Sequence, residues 1–236
     1  MANLSSIFDT NVKINVNNIA NPLSELAVWP NAIEVCMTRV PIRKRDGYSP
    51  ENIRKIAQKL KMNMVKNGVV FLICYAPVEC KSRPFEVAKI MMEEGFRHID
   101  NIIIQKSWLP GKRSEINLVN SHEYVLHFCN GDVWNLDRLP IKEYLGVTDE
   151  LSCPGNTWKV ETGSLEEAYP LDLAELLIRM TDALPGSIIF DPWMGTQSGL
   201  RAALRLGHSF YGYEQNERKI KRYKKVVKEY MNGELK

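Results

Sequence analysis

The chain has 236 residues, 31 basic and 28 acidic side chains, a net charge of +3 and 44% hydrophobic residues. That length and apolar share suffice for one well-filled core, while so small a net charge leaves any attraction to nucleic acid to local patches. Five cysteines without C-x-x-C spacing exclude a disulfide framework and a zinc site, and no apolar run approaches the ~20 residues of a membrane span, so the expectation is a soluble cytoplasmic protein with reduced thiols, Cys74 and Cys80 among them buried.

Residues 1–32 are polar and Asn-rich and carry little pattern. Ala32 to Met37 reads as a strand, and Arg43 to Pro50 as a basic loop. Pro50 to Lys66 has helical periodicity through Ile53, Ile56, Leu60 and Met64, with Ser49 as its cap and Asn67-Gly68 as its stop. Val69 to Tyr75 is a continuous apolar run, the mark of a strand buried on both faces. Phe85 to Glu94 follows as a helix closed by Gly95. Strands are expected at 98–105 and 123–128, and their helix-free connection suggests antiparallel pairing. Residues 106–120 form an irregular loop, and 130–168 are mixed. Leu171 to Leu184 is a helix with Leu173, Leu176, Leu177 and Met180 on one face. The basic run from Arg218 to Lys228 reads as the solvated face of a last helix. This alternation predicts an α/β fold with a doubly wound, mostly parallel sheet carrying an antiparallel strand, as one domain over 1–236.

Within it, Ser187 to Glu214 has the plan of a nucleoside-cofactor site. Ile188 to Phe190 is a buried strand, and Asp191 stands at its carboxyl end, where open α/β sheets bind ligands. Gly195 allows close backbone approach, Ser198 to Leu206 is a helix, and Phe210 to Tyr213 is a second strand ending on Glu214. A carboxylate there suits two ribose hydroxyls. With no G-x-G-x-x-G, a dinucleotide is disfavoured; a cofactor offering an amine to Asp191 and a ribose to Glu214 fits better.

These segments, from about residue 14 to 230, resemble the S-adenosylmethionine-dependent DNA amino-methyltransferases of the permuted class, in which the catalytic half precedes the cofactor half. The family's cofactor loop reads roughly D-P-F-x-G-S-G-T, then an Ala-rich helix, L-G-R and G-x-E. Here stand Asp191-Pro-Trp-Met-Gly-Thr-Gln-Ser198, Ala202-Ala203, Leu206-Gly207-His208 and Gly212-Tyr-Glu214. Thr157-Trp158, Tyr169-Pro170 with Leu173, and Asn120-Ser-His-Glu-Tyr-Val-Leu-His-Phe128 match further family strands and helix starts. The resemblance implies a Rossmann-like methyltransferase fold with a catalytic half over about 14–128, a short recognition region over 130–168 and a cofactor half over 169–230. It implies S-adenosylmethionine as cofactor, with Asp191 and the turn through Gly195 and Thr196 on its methionine portion and Glu214 on its ribose. Trp193 and Tyr169 would wall the site, and Asn18 would face the adenine amine. It implies DNA as partner, with a homodimer or a partner subunit supplying sequence recognition; the local basic patches Arg43, Lys44, Arg45 and Lys112, Arg113, in loops that flank the expected cleft, are by their charge the candidates for phosphate contacts.

One motif departs. The family's catalytic tetrapeptide, [D/N/S]-P-P-aromatic, follows the first strand. Its side-chain oxygen and first proline carbonyl accept the two hydrogens of the target amine and turn its lone pair toward the methyl group, while the aromatic ring stacks on the extruded base. Here the place reads Thr38-Arg39-Val40-Pro41-Ile42, so Arg39 replaces the acceptor, and arginine has donors only. Gln197 also replaces the second glycine of the cofactor loop. Three readings follow: methyl transfer to the exocyclic amine of adenine or cytosine with another acceptor such as Thr38, a catalytically silent relative that binds DNA or a partner subunit, or a methyltransferase of changed target on which Arg39 grips an anion.

Overall fold

In a computed structural model, which describes residues 7–9, 12–15, 31–42, 47–77, 80–106, 118, 121–149, 152–160, 169–195, 197–214 and 216–234, the chain winds around one mixed sheet. Its strands are β1 (Ile7–Asp9), β2 (Val12–Asn15), β3 (Ile33–Arg39), β4 (Met64–Cys74), β5 (Arg97–Lys106), β6 (His122–Cys129), β7 (Thr157–Val160), β8 (Ile188–Asp191) and β9 (Ser209–Tyr213). The helices are α1 (Pro50–Asn63), α2 (Arg83–Glu93), α3 (Leu139–Leu145), α4 (Leu171–Arg179), α5 (Ser198–Arg205) and α6 (Glu217–Met231). The strand order is β1-β2-β9-β8-β3-β4-β6-β5-β7. β6 runs antiparallel to both β4 and β5, and β1 antiparallel to β2; the remaining pairs are parallel.

Alternation along the central strands sends side chains into two cores. Val35 and Met37 of β3 pack with Leu173 and Leu177 of α4, Leu200 and Ala203 of α5, and Tyr223 and Val226 of α6. Cys36 and the following Val40 pack on the opposite face with Ile53 and Leu60 of α1 and Val87 and Met91 of α2. With both faces covered, the inner strands are continuous apolar runs, as Val69 to Cys74 shows. β3 and β8 are neighbours; from β3 the chain continues to β4 on one side, and from β8 to β9 on the other. This is the point where an α/β sheet reverses its winding and opens a crevice at the carboxyl ends of its strands.

Several boundaries differ from the sequence reading. α1 begins as expected, with Ser49 Oγ accepting the Asn52 N–H at 3.0 Å and Pro50 in the first turn, but it ends at Asn63. Met64 already pairs with Ile33, and the register to β3 shifts before Val35 meets Val69. Asn67-Gly68 therefore belongs to β4, where Asn67 takes φ 66° and its N–H bonds the Asn130 carbonyl at 2.9 Å. α4 stops at Arg179, not Leu184, because Met180 and Thr181 close the last turn through Leu176 and Ile178. The region 130–168 contains α3 and β7, whose Trp158 is buried. Residues 1–32 contribute β1 and β2, with β2 parallel to β9. β1 is a second antiparallel strand, so β6 is not alone in that respect. Cys80 is half-buried rather than buried. Among the described residues no helix is long and apolar enough to cross a membrane, and no group of side chains could hold a metal ion.

Candidate active site

The carboxyl ends of β3 and β8 bring Thr38 and Asp191 together. Thr38 Oγ1 donates to Asp191 Oδ1 at 2.5 Å, and the Trp193 main-chain N–H donates to the same oxygen at 3.0 Å, an Asx-type turn that fixes the carboxylate. Asp191 is buried, and that burial pushes its carboxyl up to about 7 against the pull of both hydrogen bonds, with the Glu214 charge adding to the rise. The residue at the N-cap of α5 is Gln197, and no side chain bonds the cap there, so Asp191 is held for another purpose than capping. Gln197 has φ −81° and ψ −1°, ordinary helical values, so its replacement of glycine costs no backbone strain.

Asp191 Oδ2 faces the start of α5. A Cβ on Gly199 would stand 3.4 Å from this oxygen and 2.8 Å from Tyr169 Oη, which is why a side chain is absent at that position. Trp193 Nε1 is buried without a hydrogen-bond partner among the described residues, and the Tyr169 hydroxyl, toward whose oxygen the Gly199 N–H points, is buried with no acceptor for its own hydrogen among them. A buried donor with no acceptor costs about 1–3 kcal/mol, so the Tyr169 hydroxyl beside the Asp191 carboxylate points to a polar ligand. Trp193 is itself buried, in the cluster that holds Phe190, Tyr211 and Tyr213.

Glu214 follows β9 directly. Its Oε1 accepts the Asn216 N–H at 2.8 Å, and its Oε2 accepts the Tyr223 hydroxyl at 3.0 Å. The same hydroxyl lies 3.0 Å from the Gly195 carbonyl, so Tyr223 of α6 ties the turn after β8 to the tip of β9. Gly195 takes φ 46°, a left-handed conformation that favours glycine. Each carboxylate oxygen of Glu214 keeps lone-pair capacity for a hydroxyl donor.

The other half of the crevice is ionic. Arg39, the last residue of β3, places Nη2 2.5 Å from Glu123 Oε1, and Lys106 Nζ lies 2.6 Å from the same oxygen. All three side chains are 14% exposed or less. Arg39 pairs with Ile73 of β4, and Ile73 with Val125 of β6, so the two-residue period puts Arg39 and Glu123 on one face. Lys106 ends β5 above the ring of Tyr75, 4.7 Å from its centroid. The end of β3 thus carries a guanidinium clamped by a carboxylate. Pro41 is half-buried, and the Ile42 carbonyl after it accepts from Arg83 Nη1 at 2.5 Å.

Thr38 is fully buried and turned to Asp191, so the structure groups it with Asp191 rather than with Arg39 and Pro41. Asp191, Trp193, Gly195 and Tyr169 gather at that end, and Glu214 joins them through Tyr223. Asn18, Thr196, Arg43, Lys44, Arg45, Lys112 and Arg113 lie outside the described residues. Sequence reasoning gave no role to Glu123, Lys106 or Tyr223. The signal for Glu123 was available: a lone carboxylate in phase with the buried Val125 and His127 requires a cation.

The family profile described as DNA methylase matches residues 46–225. No curated protein sequence matches the chain. Among solved structures, the M1.HpyAVI–SAM complex is similar at 16% identity with a TM-score of 0.69, covering 91% of this chain and 98% of that one. PvuII DNA methyltransferase, described as cytosine-N4-specific, is similar at 14% identity with a TM-score of 0.72, covering 95% of this chain and 94% of that one. TTHA0409 of Thermus thermophilus, complexed with S-adenosyl-L-methionine, is similar at 18% identity with a TM-score of 0.68, covering 92% of this chain and 93% of that one. The likeness to these structures establishes the Rossmann-like methyltransferase fold, and the profile spans most of the chain: this protein belongs to the DNA methylase family of amino-group methyltransferases.

Proposed function

We propose that this chain is an S-adenosylmethionine-dependent DNA methyltransferase, with its cofactor pocket at the β3/β8 switch point and the exocyclic amine of adenine or cytosine as the methyl acceptor. The observation that carries the reading is the buried Asp191, bonded through one oxygen to Thr38 and Trp193, beside the Tyr169 hydroxyl, whose hydrogen has no acceptor among the described residues. The donor set fits the cofactor. Asp191 would take the methionine ammonium through Oδ2, while the Tyr169 hydroxyl and the α5 N-terminus would take its carboxylate. Glu214 would accept from the ribose hydroxyls, oriented by Asn216 and Tyr223. When bound, the cofactor supplies a methyl group on a sulfonium; the protein's part is to place an amine in line with it. Thr38 works here as a positioning residue, holding Asp191 rather than the amine. The carbonyl of Val40, at the place of the family's first proline, is the acceptor left for one amine hydrogen.

A second reading has its own observation: Arg39, where the resemblance would put the acceptor, is held to Glu123. A cation there opposes the positive charge that develops on the methylated nitrogen. Under this reading the chain binds cofactor and DNA but does not turn over on ordinary adenine or cytosine. Transfer of labelled methyl to mixed-sequence duplex DNA decides between them. Incorporation that disappears in Asp191→Ala establishes the first reading. Saturable cofactor binding without incorporation establishes the second, and binding of neither cofactor nor DNA overturns both.

A further inference from the structure

The last helix carries its charge against its own stability. α6 holds seven basic residues and two acidic ones, a surplus that exceeds the chain's net charge of +3, so the rest of the chain is net negative. Arg218 and Arg222, Lys221 and Lys225, and Lys224 and Lys228 are like charges four residues apart, and such pairs destabilise a helix. Arg218 and Lys219 also stand in the first turn, where the helix dipole disfavours cations. A face that is only solvated mixes both signs, as α1 does: Arg54 meets Glu93 and Glu94, and Lys55 meets Glu51. In α6, Glu229 is shared between Lys225 at 3.7 Å and Arg201 of α5 at 3.1 Å. Arg218, Lys221, Arg222, Lys224 and Lys228 have no carboxylate within ion-pair reach among the described residues.

Ile220, Tyr223, Val226 and Val227 bury one side of α6 in the core it shares with β3 and α5. Helical spacing puts Arg218, Lys221, Arg222, Lys225 and Lys228 in one stripe on the other side, with Lys224 at its margin, and all six are exposed. At about 1.5 Å per residue the stripe is about 15 Å long. Duplex DNA carries a phosphate for about every 1.7 Å of its axis, so each cation of the stripe can meet one. A membrane surface fits less well, because an interfacial helix inserts an apolar face and that of α6 is buried in the core. The stripe starts beside the crevice: Lys219 Nζ lies 4.0 Å from Glu214 Oε2, and the Tyr223 hydroxyl bonds both Glu214 and the Gly195 carbonyl.

We propose that the outer face of α6 is a sequence-independent docking surface for the backbone of duplex DNA, holding by charge a stretch of duplex outside the crevice. The proposal rests on the reading of DNA as the partner and does not require methyl transfer.

The test compares wild type with two triple variants of equal net charge. One carries Lys221→Gln, Arg222→Gln and Lys228→Gln on α6; the other carries Lys55→Gln, Lys66→Gln and Lys89→Gln, at exposed positions of α1, β4 and α2. Affinity for mixed-sequence duplexes is measured by fluorescence anisotropy between about 50 and 200 mM salt. The α6 variant should bind about tenfold or more weakly, equally for duplexes of different sequence. The slope of log affinity against log salt should become shallower by about 3, at about 0.9 per phosphate contact. Its melting temperature without DNA should hold or rise, because like charges have been removed. A charge-keeping variant, with Lys221→Arg, Arg222→Lys and Lys228→Arg, should bind as wild type does, and the α1, β4 and α2 variant should keep the wild-type slope. An α6 variant that binds like wild type, or equal loss in both glutamine variants, overturns the surface while leaving DNA as the partner. Unchanged duplex binding with lost binding to anionic phospholipid vesicles overturns it in favour of a membrane surface. Failure of wild type to bind duplex at any of these salt concentrations overturns the surface together with DNA as the partner.

Discussion

Asp191 is the residue on which the proposed cofactor pocket turns. Its carboxyl is raised from an ordinary value near 3.8 to about 7, mainly by burial. The folded state therefore holds a proton that the unfolded chain releases near pH 4, and stability falls as pH rises from about 4 to 7. Asp191→Asn keeps an acceptor for Thr38 and Trp193 but has nothing to ionise. Its melting temperature should match wild type near pH 4 and exceed it increasingly up to pH 7, with no further gain above; parallel melting curves across that range would contradict the assignment. Binding an ammonium group reverses the preference, because only the ionised carboxylate pairs with it. Affinity for S-adenosylmethionine should rise up to about tenfold per pH unit below 7 and level off above, and the asparagine variant should lose that slope. Arg39 makes a separate prediction. Glu123→Gln leaves two buried cations facing a neutral amide and should cost about 3 kcal/mol in urea denaturation. Arg39→Met should cost less, since Lys106 still meets Glu123.

The elements show how the site is assembled, and how much of it could be read in advance. α5 must approach β8 closely for Asp191 Oδ2 and Tyr169 Oη to share one place, and Gly199 permits that approach. Gly199→Ala should lower cofactor affinity about tenfold and cost about 1–3 kcal/mol through overpacking, despite the better helix propensity of alanine; calorimetry and denaturation report the two effects separately. β8, α5 and β9 were legible because an apolar run, a carboxylate and an Ala/Leu helix follow one another within a short stretch. The β5–β6 pair was legible from the missing crossover. The Thr38–Asp191 bond was not, since it joins residues 153 positions apart and depends on β3 and β8 being neighbours. The extension of β4 back to Met64 was hidden too: Asn67-Gly68 looks like a helix stop in sequence and serves as a β-irregularity in the fold. β1 and β2, at 3 and 4 residues, are too short for periodicity to declare them.

At the scale of the whole molecule, the family fold and the proposed catalytic chemistry are separate questions. The sheet and its switch point follow the family fold, while the end of β3, where the resemblance would put an acceptor oxygen, carries Arg39 paired with Glu123. Fold alone does not decide activity in such a chain. Arg39→Asp, Val40→Pro and Ile42→Tyr combined should raise methyl incorporation into duplex DNA about tenfold or more, since Lys106 remains to balance Glu123 beside the new carboxylate. No increase, with cofactor binding unchanged, would place the defect outside the tetrapeptide. The most direct measurement is calorimetric titration of the unmodified protein with S-adenosylmethionine at pH 8. A single saturable site, lost in Asp191→Ala while the fold persists, is the predicted result; absence of heat up to millimolar cofactor, or binding indifferent to Asp191, would contradict a pocket at the β3/β8 switch.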